Sequence, residues 1–267
     1  MEALFELARG RLPLLVSFPH SGTYVPPEMA SRMTEAGLAL PDTDWHVPLL
    51  YPFLDELGAS RLVATHSRYV VDLNRAPDDR ALYPGRKNTG VVPRETFAGA
   101  PLYKERAPDA AEHTARIARY WRPYHDALGR ELERLKSVHG YALLWDAHSI
   151  ASVIPALFDG RLPDLNIGTN DARAAPASVG EAVLAAAKWS AFSAVRDARF
   201  KGGYITRLHG DANGRTIAVQ LEMVQAIYMD ERPPYALDAA KAARVIPVIR
   251  AMVEAYLEAG GAQFSPP

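Results

Sequence analysis

The chain has 267 residues, 48% of them hydrophobic and 23% charged, which is enough apolar material to bury one large core. Its 30 basic and 31 acidic side chains leave a formal net charge of −1, so no global field draws it to nucleic acid or to an anionic membrane. Cysteine is absent, which excludes disulfides and thiolate catalysis and leaves His, Asp, Glu or water as donors for any metal site.

The opening Met1-Glu2-Ala3-Leu4-Phe5-Glu6 lacks a basic region followed by an apolar stretch, and no segment approaches membrane-spanning length, so the expectation is a cytoplasmic protein. Leu14-Leu15-Val16 reads as a strand covered on both faces that ends where Pro19-His20-Ser21-Gly22 begins. A loop rich in Pro, Gly and Asp follows. Residues 47–57 then carry Leu49, Leu50, Phe53, Leu54 and Leu57 at helical spacing, with Gly58 as the stop. Residues 60–66 and 68–73 read as extended, the second centred on Tyr69-Val70-Val71. Residues 107–136 form the longest helical stretch, with Pro123 as a kink or local break.

Tyr141-Ala142-Leu143-Leu144-Trp145 is a second buried strand, and it delivers Asp146-Ala147-His148-Ser149. Residues 155–177 are punctuated by Pro, Gly, Asn and Asp and read as an ordered loop over the sheet. A small-residue helix at 180–193, strands at 200–206 and 216–223, and an amphipathic helix at 237–258 complete the chain. No linker divides it, so residues 1–267 are expected to form one domain. The alternation of strands and helices predicts an α/β fold, with a largely parallel or mixed sheet covered by helices on both faces.

His20 and His148 each stand at the end of a buried strand, at the rim where open α/β sheets bind ligands. Two neutral imidazoles there make half of a zinc site; the alternative use of each is a strand-end hydrogen bond to a loop. Glu222 interrupts the apolar run Ile217-Ala218-Val219-Gln220-Leu221-Glu222-Met223, a costly place for a carboxylate unless it is paired or functional.

Ordered motifs extend through nearly the whole chain. They are Pro19-His20-Ser21-Gly22, Asp42-Thr43-Asp44-Trp45-His46, Arg68-Tyr69-Val70-Val71-Asp72-Leu73-Asn74-Arg75, Asp146-Ala147-His148-Ser149, the segment from Phe158-Asp159-Gly160 to Ile167-Gly168-Thr169, Lys201-Gly202-Gly203-Tyr204-Ile205-Thr206-Arg207, and Gln220-Leu221-Glu222. On these residues the sequence resembles the N-formylglutamate amidohydrolases, or N-formylglutamate deformylases, of histidine degradation. The resemblance implies hydrolysis of N-formyl-L-glutamate to formate and L-glutamate. It also implies a three-layer α/β/α sandwich around a mixed sheet, like zinc exopeptidases and aspartoacylases.

Formamide hydrolysis needs a nucleophile stronger than neutral water. With no Cys and no G-x-S-x-G serine, the route left is a water activated by a divalent metal, zinc in the first place, with cobalt, manganese or iron also accepted by such donors. His20 and His148 would be ligands, with Asp44 as the third and Asp42, His46 and Asp146 as competitors. Relatives with this fold often carry Glu three residues after the first His, where this chain has Thr23. Helix capping is the alternative use of Asp42 and Asp44.

By the same likeness Glu222 would be the general base; a strand-end salt bridge is its alternative use. The implied substrate is a small dicarboxylate, and arginine suits carboxylates because its planar fork binds them in bidentate fashion. Arg68, Asn74 and Arg75 bracket one segment, and Asn74 with Arg75 is assigned to the α-carboxylate. A second clamp would come from Arg207 behind Gly202-Gly203, assisted by Tyr204 or Lys201. Arg86, Lys87, Arg116, Arg119 and Arg122 are expected to be ordinary surface or helix charges. His113, His125 and His139 are expected on the surface or in packing, with His66 and His209 undecided. Two other readings stay open: a metallohydrolase for another N-acyl amino acid or short peptide, and a non-catalytic carboxylate binder. Oligomeric state is not legible.

Overall fold

The computed structural model describes residues 3–81 and 89–264. Seven strands form one mixed sheet: β1 (Phe5–Ala8), β2 (Leu14–Phe18), β3 (Ser60–Ala64), β4 (Ala142–Ile150), β5 (Leu165–Gly168), β6 (Ala194–Arg196) and β7 (Thr216–Val224). Their order across the sheet is β1-β3-β2-β4-β7-β5-β6. β3, β2, β4 and β7 run parallel, while β1 pairs antiparallel with β3 and β5 antiparallel with β7. The helices are α1 (Pro27–Ala30), α2 (Glu35–Leu38), α3 (Leu54–Leu57), α4 (Ala110–Arg116), α5 (Arg122–His139), α6 (Ala177–Lys188), α7 (Tyr204–His209) and α8 (Ala239–Ala262).

The three layers follow from period-2 alternation along the central strands. Leu143, Trp145 and Ala147 of β4 and Ile217, Val219 and Leu221 of β7 pack with Val183 of α6 and Val245, Ile249 and Met252 of α8. Ala142, Leu144 and Ala218 face the other way, onto Leu128, Leu132 and Leu135 of α5. By the same alternation Asp146, His148, Gln220 and Glu222 lie on the α5 face. Towards the carboxyl ends of β4 and β7 that face therefore changes from apolar to polar, and all of β4 and β7 is buried. The site grows out of this change.

Several elements depart from the sequence expectation. The helix expected over 47–57 is a 3₁₀ turn, Val47–Leu50, followed by α3, which Gly58 ends in the left-handed conformation at φ 82°. The long central helix is interrupted at Ile117–Trp121 by π-type turns in which the Arg122 N–H reaches the Ile117 carbonyl. Pro123 lacks the N–H that would bond four residues back, so the wider ring absorbs the defect. Residues 68–73 form buried turns rather than a strand, because Arg116 donates to the carbonyls of Tyr69 and Val70 at 3.2 and 3.1 Å and the Asp72 carboxylate accepts from the Asn74 N–H. Arg116, expected on the surface, is 2% exposed. The loop expected over 155–177 contains β5, and the strand expected over 200–206 is instead a connection leading into α7. Arg86 and Lys87 lie outside the described residues. Among the described residues no helix is long and apolar enough to cross a membrane.

Candidate active site

Three segments converge at the carboxyl rim of the parallel strands. His20 stands two residues beyond β2, His148 is near the end of β4, and Glu222 is opposite His148 in the β4–β7 register. Asp44 comes from the loop between α2 and the Val47–Leu50 turn, and its N–H donates to the His20 carbonyl at 3.0 Å. Donor atoms of His20, Asp44 and His148 all lie within 4.8 Å of one another, and all three residues are buried. Asp44 caps no helix. Its Oδ2 meets His148 Nδ1 at 2.9 Å and lies 3.7 Å from His20 Nδ1, while its buried Oδ1 has no hydrogen-bond partner.

Each imidazole is held from behind through its other nitrogen. His20 Nε2 is 2.7 Å from Asp72 Oδ1, and His148 Nε2 has the Asn74 amide nitrogen at 2.8 Å and Asp146 Oδ2 at 3.2 Å. Both rings thus present Nδ1 to the cluster, the orientation that carboxylates behind metal-binding histidines impose. Two Nδ1 atoms and a carboxylate form a compact N/O donor set that fits a divalent cation. Of the competing ligands, Asp42 is occupied by Tyr69 Oη at 2.6 Å and the Phe97 N–H at 2.7 Å, and His46 Nε2 lies 2.8 Å from the Tyr235 carbonyl oxygen.

Charge and burial set the protonation states. Burial, reinforced by the Arg68 guanidinium, pushes His20 below its ordinary value and so favours the neutral ring. Burial also works against a charged His148, but without a cation Asp146 and Asp44 outweigh it and hold the ring well above the usual imidazole range, so a cation binding at Nδ1 would have to displace that proton. Asp72 is raised by burial yet held well below the carboxylate range by Arg68 and His20. Burial pushes Glu222 up to about 8, with His148 pulling the other way. A carboxyl group placed there can exchange a proton near neutral pH.

The pocket beside this cluster is lined by Arg68, Asn74, Arg75, Phe97, Leu157, Arg199, Phe200, Gln220 and Glu222. Arg68 spends its guanidinium on Asp72 at 2.6 Å and on the Asp42 carbonyl at 3.2 Å, and it stacks on Phe97. It thereby braces Asp72, and with it His20, while lining the pocket. Asn74 is occupied as well: Nδ2 contacts His148 Nε2 at 2.8 Å and Asp146 Oδ2 at 3.3 Å, and Oδ1 accepts the Ile205 N–H at 2.8 Å, capping α7. Arg75 is half-buried and borders the pocket.

Tyr204 and Arg207 fall outside that lining. The Tyr204 ring packs beside Trp121 and His125, and Arg207 Nε donates back to the Gly202 carbonyl. Lys201 pairs with Asp171 at 2.8 Å. His209 stacks over His125, and His66 lies between Tyr24 and Tyr120, each away from the donor cluster. Sequence reasoning missed Gln220, whose Oε1 accepts the Gly203 N–H and whose Nε2 reaches Glu222 at 3.3 Å. Its alternation with Glu222 on one strand face was the available signal. It also missed Arg199, which nothing in the local sequence sets apart.

Comparison with known proteins agrees over the full length. The sequence profile of N-formylglutamate amidohydrolases matches residues 12–229. The N-formylglutamate deformylase of Pseudomonas aeruginosa is 49% identical over 269 residues, covering 99% of this chain and 100% of that one. The N-formylglutamate deformylase of Pseudomonas putida is 45% identical over 268 residues, with 99% of each chain covered. Among solved structures, an N-formylglutamate amidohydrolase from Ralstonia eutropha JMP134 superposes with a TM-score of 0.80 at 26% identity, covering 96% of this chain and 97% of that one. A protein from Agrobacterium tumefaciens shares the fold, with a TM-score of 0.75 at 18% identity over 95% of both chains.

Proposed function

Because the chain belongs to the N-formylglutamate amidohydrolase family, we propose that it hydrolyses N-formyl-L-glutamate to formate and L-glutamate, using a divalent cation, zinc in the first place, held by His20, Asp44 and His148. The observation that carries the metal-dependent part is the convergence of two Nδ1 atoms on a buried carboxylate whose Oδ1 accepts no hydrogen bond. When bound, such a cation lowers the pKa of water to about 7 and polarises the formyl oxygen.

The side chains divide the remaining work. Glu222 takes a proton from the attacking water and returns it to the nitrogen that leaves as the amine of glutamate. His20 and His148 stay fixed by Asp72 and Asp146, so the donor set needs no reorganisation during the reaction. Arg75 offers its charge to the α-carboxylate, beside the Asn74 amide that buttresses His148.

Formate release from N-formyl-L-glutamate by the purified protein tests this, measured before and after chelation, after restoring zinc or cobalt, and with Glu222→Gln. Activity that chelation abolishes and metal restores is expected, and the variant should lose about 10²-fold or more in kcat while keeping its metal. Turnover untouched by stringent metal removal would overturn the metal-dependent reading. Turnover only with another N-acyl amino acid would move the substrate assignment.

A further inference from the structure

A substrate amino acid whose amine is blocked by a formyl group carries two negative charges when its side chain ends in a carboxylate. Arg75 supplies one positive charge to the pocket, and the charge of Arg68 is committed to Asp72 at 2.6 Å and Asp44 at 3.9 Å. Arg199 is the further arginine that the described lining contains, and it enters on a different segment, the connection between β6 and α7. Its guanidinium donates to the Leu157 carbonyl and lies over the Phe158 ring, with the cation 5.4 Å from the ring centre. These contacts brace the arginine against the loop that follows β4. Next to it Phe200, Leu157 and Ile150 supply an apolar wall.

The order of groups along the substrate matches this arrangement. In an N-formyl dicarboxylic amino acid the α-carboxylate is one carbon from the scissile amide nitrogen, whereas the side-chain carboxylate lies beyond two methylenes. Arg75 follows Asn74, whose amide touches His148, and its charge acts on Asp72, which holds His20, so it stands on the donor-cluster side of the pocket. Resting on the proposed deformylase reading, we infer that Arg199 is the specificity-determining residue for the side-chain carboxylate, with Phe200 and Leu157 covering the methylenes between the two charges. An arginine fork selects a carboxylate over its neutral amide because the amide cannot complete the paired, charge-assisted hydrogen bonds.

The test compares kcat/KM for N-formyl-L-glutamate and N-formyl-L-glutamine in the unaltered protein, Arg199→Gln and Arg199→Lys. Arg199→Gln should lower kcat/KM for the glutamate substrate by about 10²-fold and change that for the glutamine substrate by less than about threefold, so that the discrimination collapses. Arg199→Lys keeps a cation over the same wall and should recover part of the preference, which separates lost charge from a disturbed loop. Arg75→Gln should leave the ratio between these two substrates unchanged. An unchanged ratio in Arg199→Gln, or equal losses on both substrates, would overturn the inference while leaving the deformylase reading in place. Failure of the unaltered protein to act on N-formyl-L-glutamate would remove both.

Discussion

Asp72 ties two groups together: its Oδ1 meets His20 Nε2 at 2.7 Å and its Oδ2 meets Arg68 at 2.6 Å. The Arg68 charge keeps Asp72 ionised, and the ionised carboxylate fixes the ring so that Nδ1 turns toward Asp44. Asp72→Asn keeps the shape but removes the charge, and it should weaken zinc binding by about 10- to 100-fold. Competition with a chromophoric chelator measures this, and unchanged affinity would show that Asp72 serves folding alone. At this scale the chemistry-bearing types were readable: two histidines at strand ends and a carboxylate inside an apolar run are expensive placements that sequence pattern exposes. The supports were not. Asp72 was visible only as part of a motif, and Arg199 is an arginine among many, because what distinguishes such residues is a partner 52 or 42 positions away.

The elements that carry the site are the long, fully buried ones, β4 and β7, and their continuous apolar runs made them legible. The three-residue β6 and four-residue β1 and β5 are too short to impose a pattern, and they exist because neighbouring strands offer them a ladder. Residues 68–73 have strand-forming side chains, yet tertiary hydrogen bonds from Arg116 hold them in turns. The approach of α7 to the site is another such effect. A Cβ on Gly203 would overlap Asn74 Nδ2, so this glycine permits the helix start to meet the amide that caps it. Gly203→Ala should destabilise the fold by about 1–3 kcal/mol through overpacking and should also weaken metal binding by shifting Asn74 off His148. Urea unfolding of Gly203→Ala, Asn74→Ala and the double variant provides the check. The double variant should cost less than the sum of the two, whereas strict additivity would mean that the clash is relieved elsewhere.

Across the whole molecule one sheet face bears the ionisable burden, and the balance of its groups sets the response to acid. On that face α5 carries His125, which is stacked on Trp121 at 3.7 Å, bonded through Nε2 to the Leu73 carbonyl, and pushed by burial down to about 3. His209 stacks beside it and is lowered by burial to about 4. In the unfolded chain an imidazole binds its proton near pH 6.5. Between that value and the lower folded one the unfolded state holds more protons, so stability is lost as pH falls. His20 acts with the same sign, whereas Glu222, raised to about 8, stays protonated when folded and opposes them between its unfolded value of 4.5 and that pH. His148, raised when folded, is protonated in both states below the unfolded value and adds no slope there. Burial raises Asp42 as well, which opposes with the same sign as Glu222. Three imidazoles against two carboxyl groups predict that the metal-free protein loses stability from pH 6 to 5. His125→Phe should flatten that loss by about 1.4 kcal/mol per pH unit, one proton's worth. Urea unfolding of metal-stripped protein and variant at the two pH values decides it, and parallel slopes would mean that the His125 ring accepts a proton within the fold. A bound cation would change the account only for His20, His148 and Glu222, so the His125 contribution should persist in the metal-loaded enzyme.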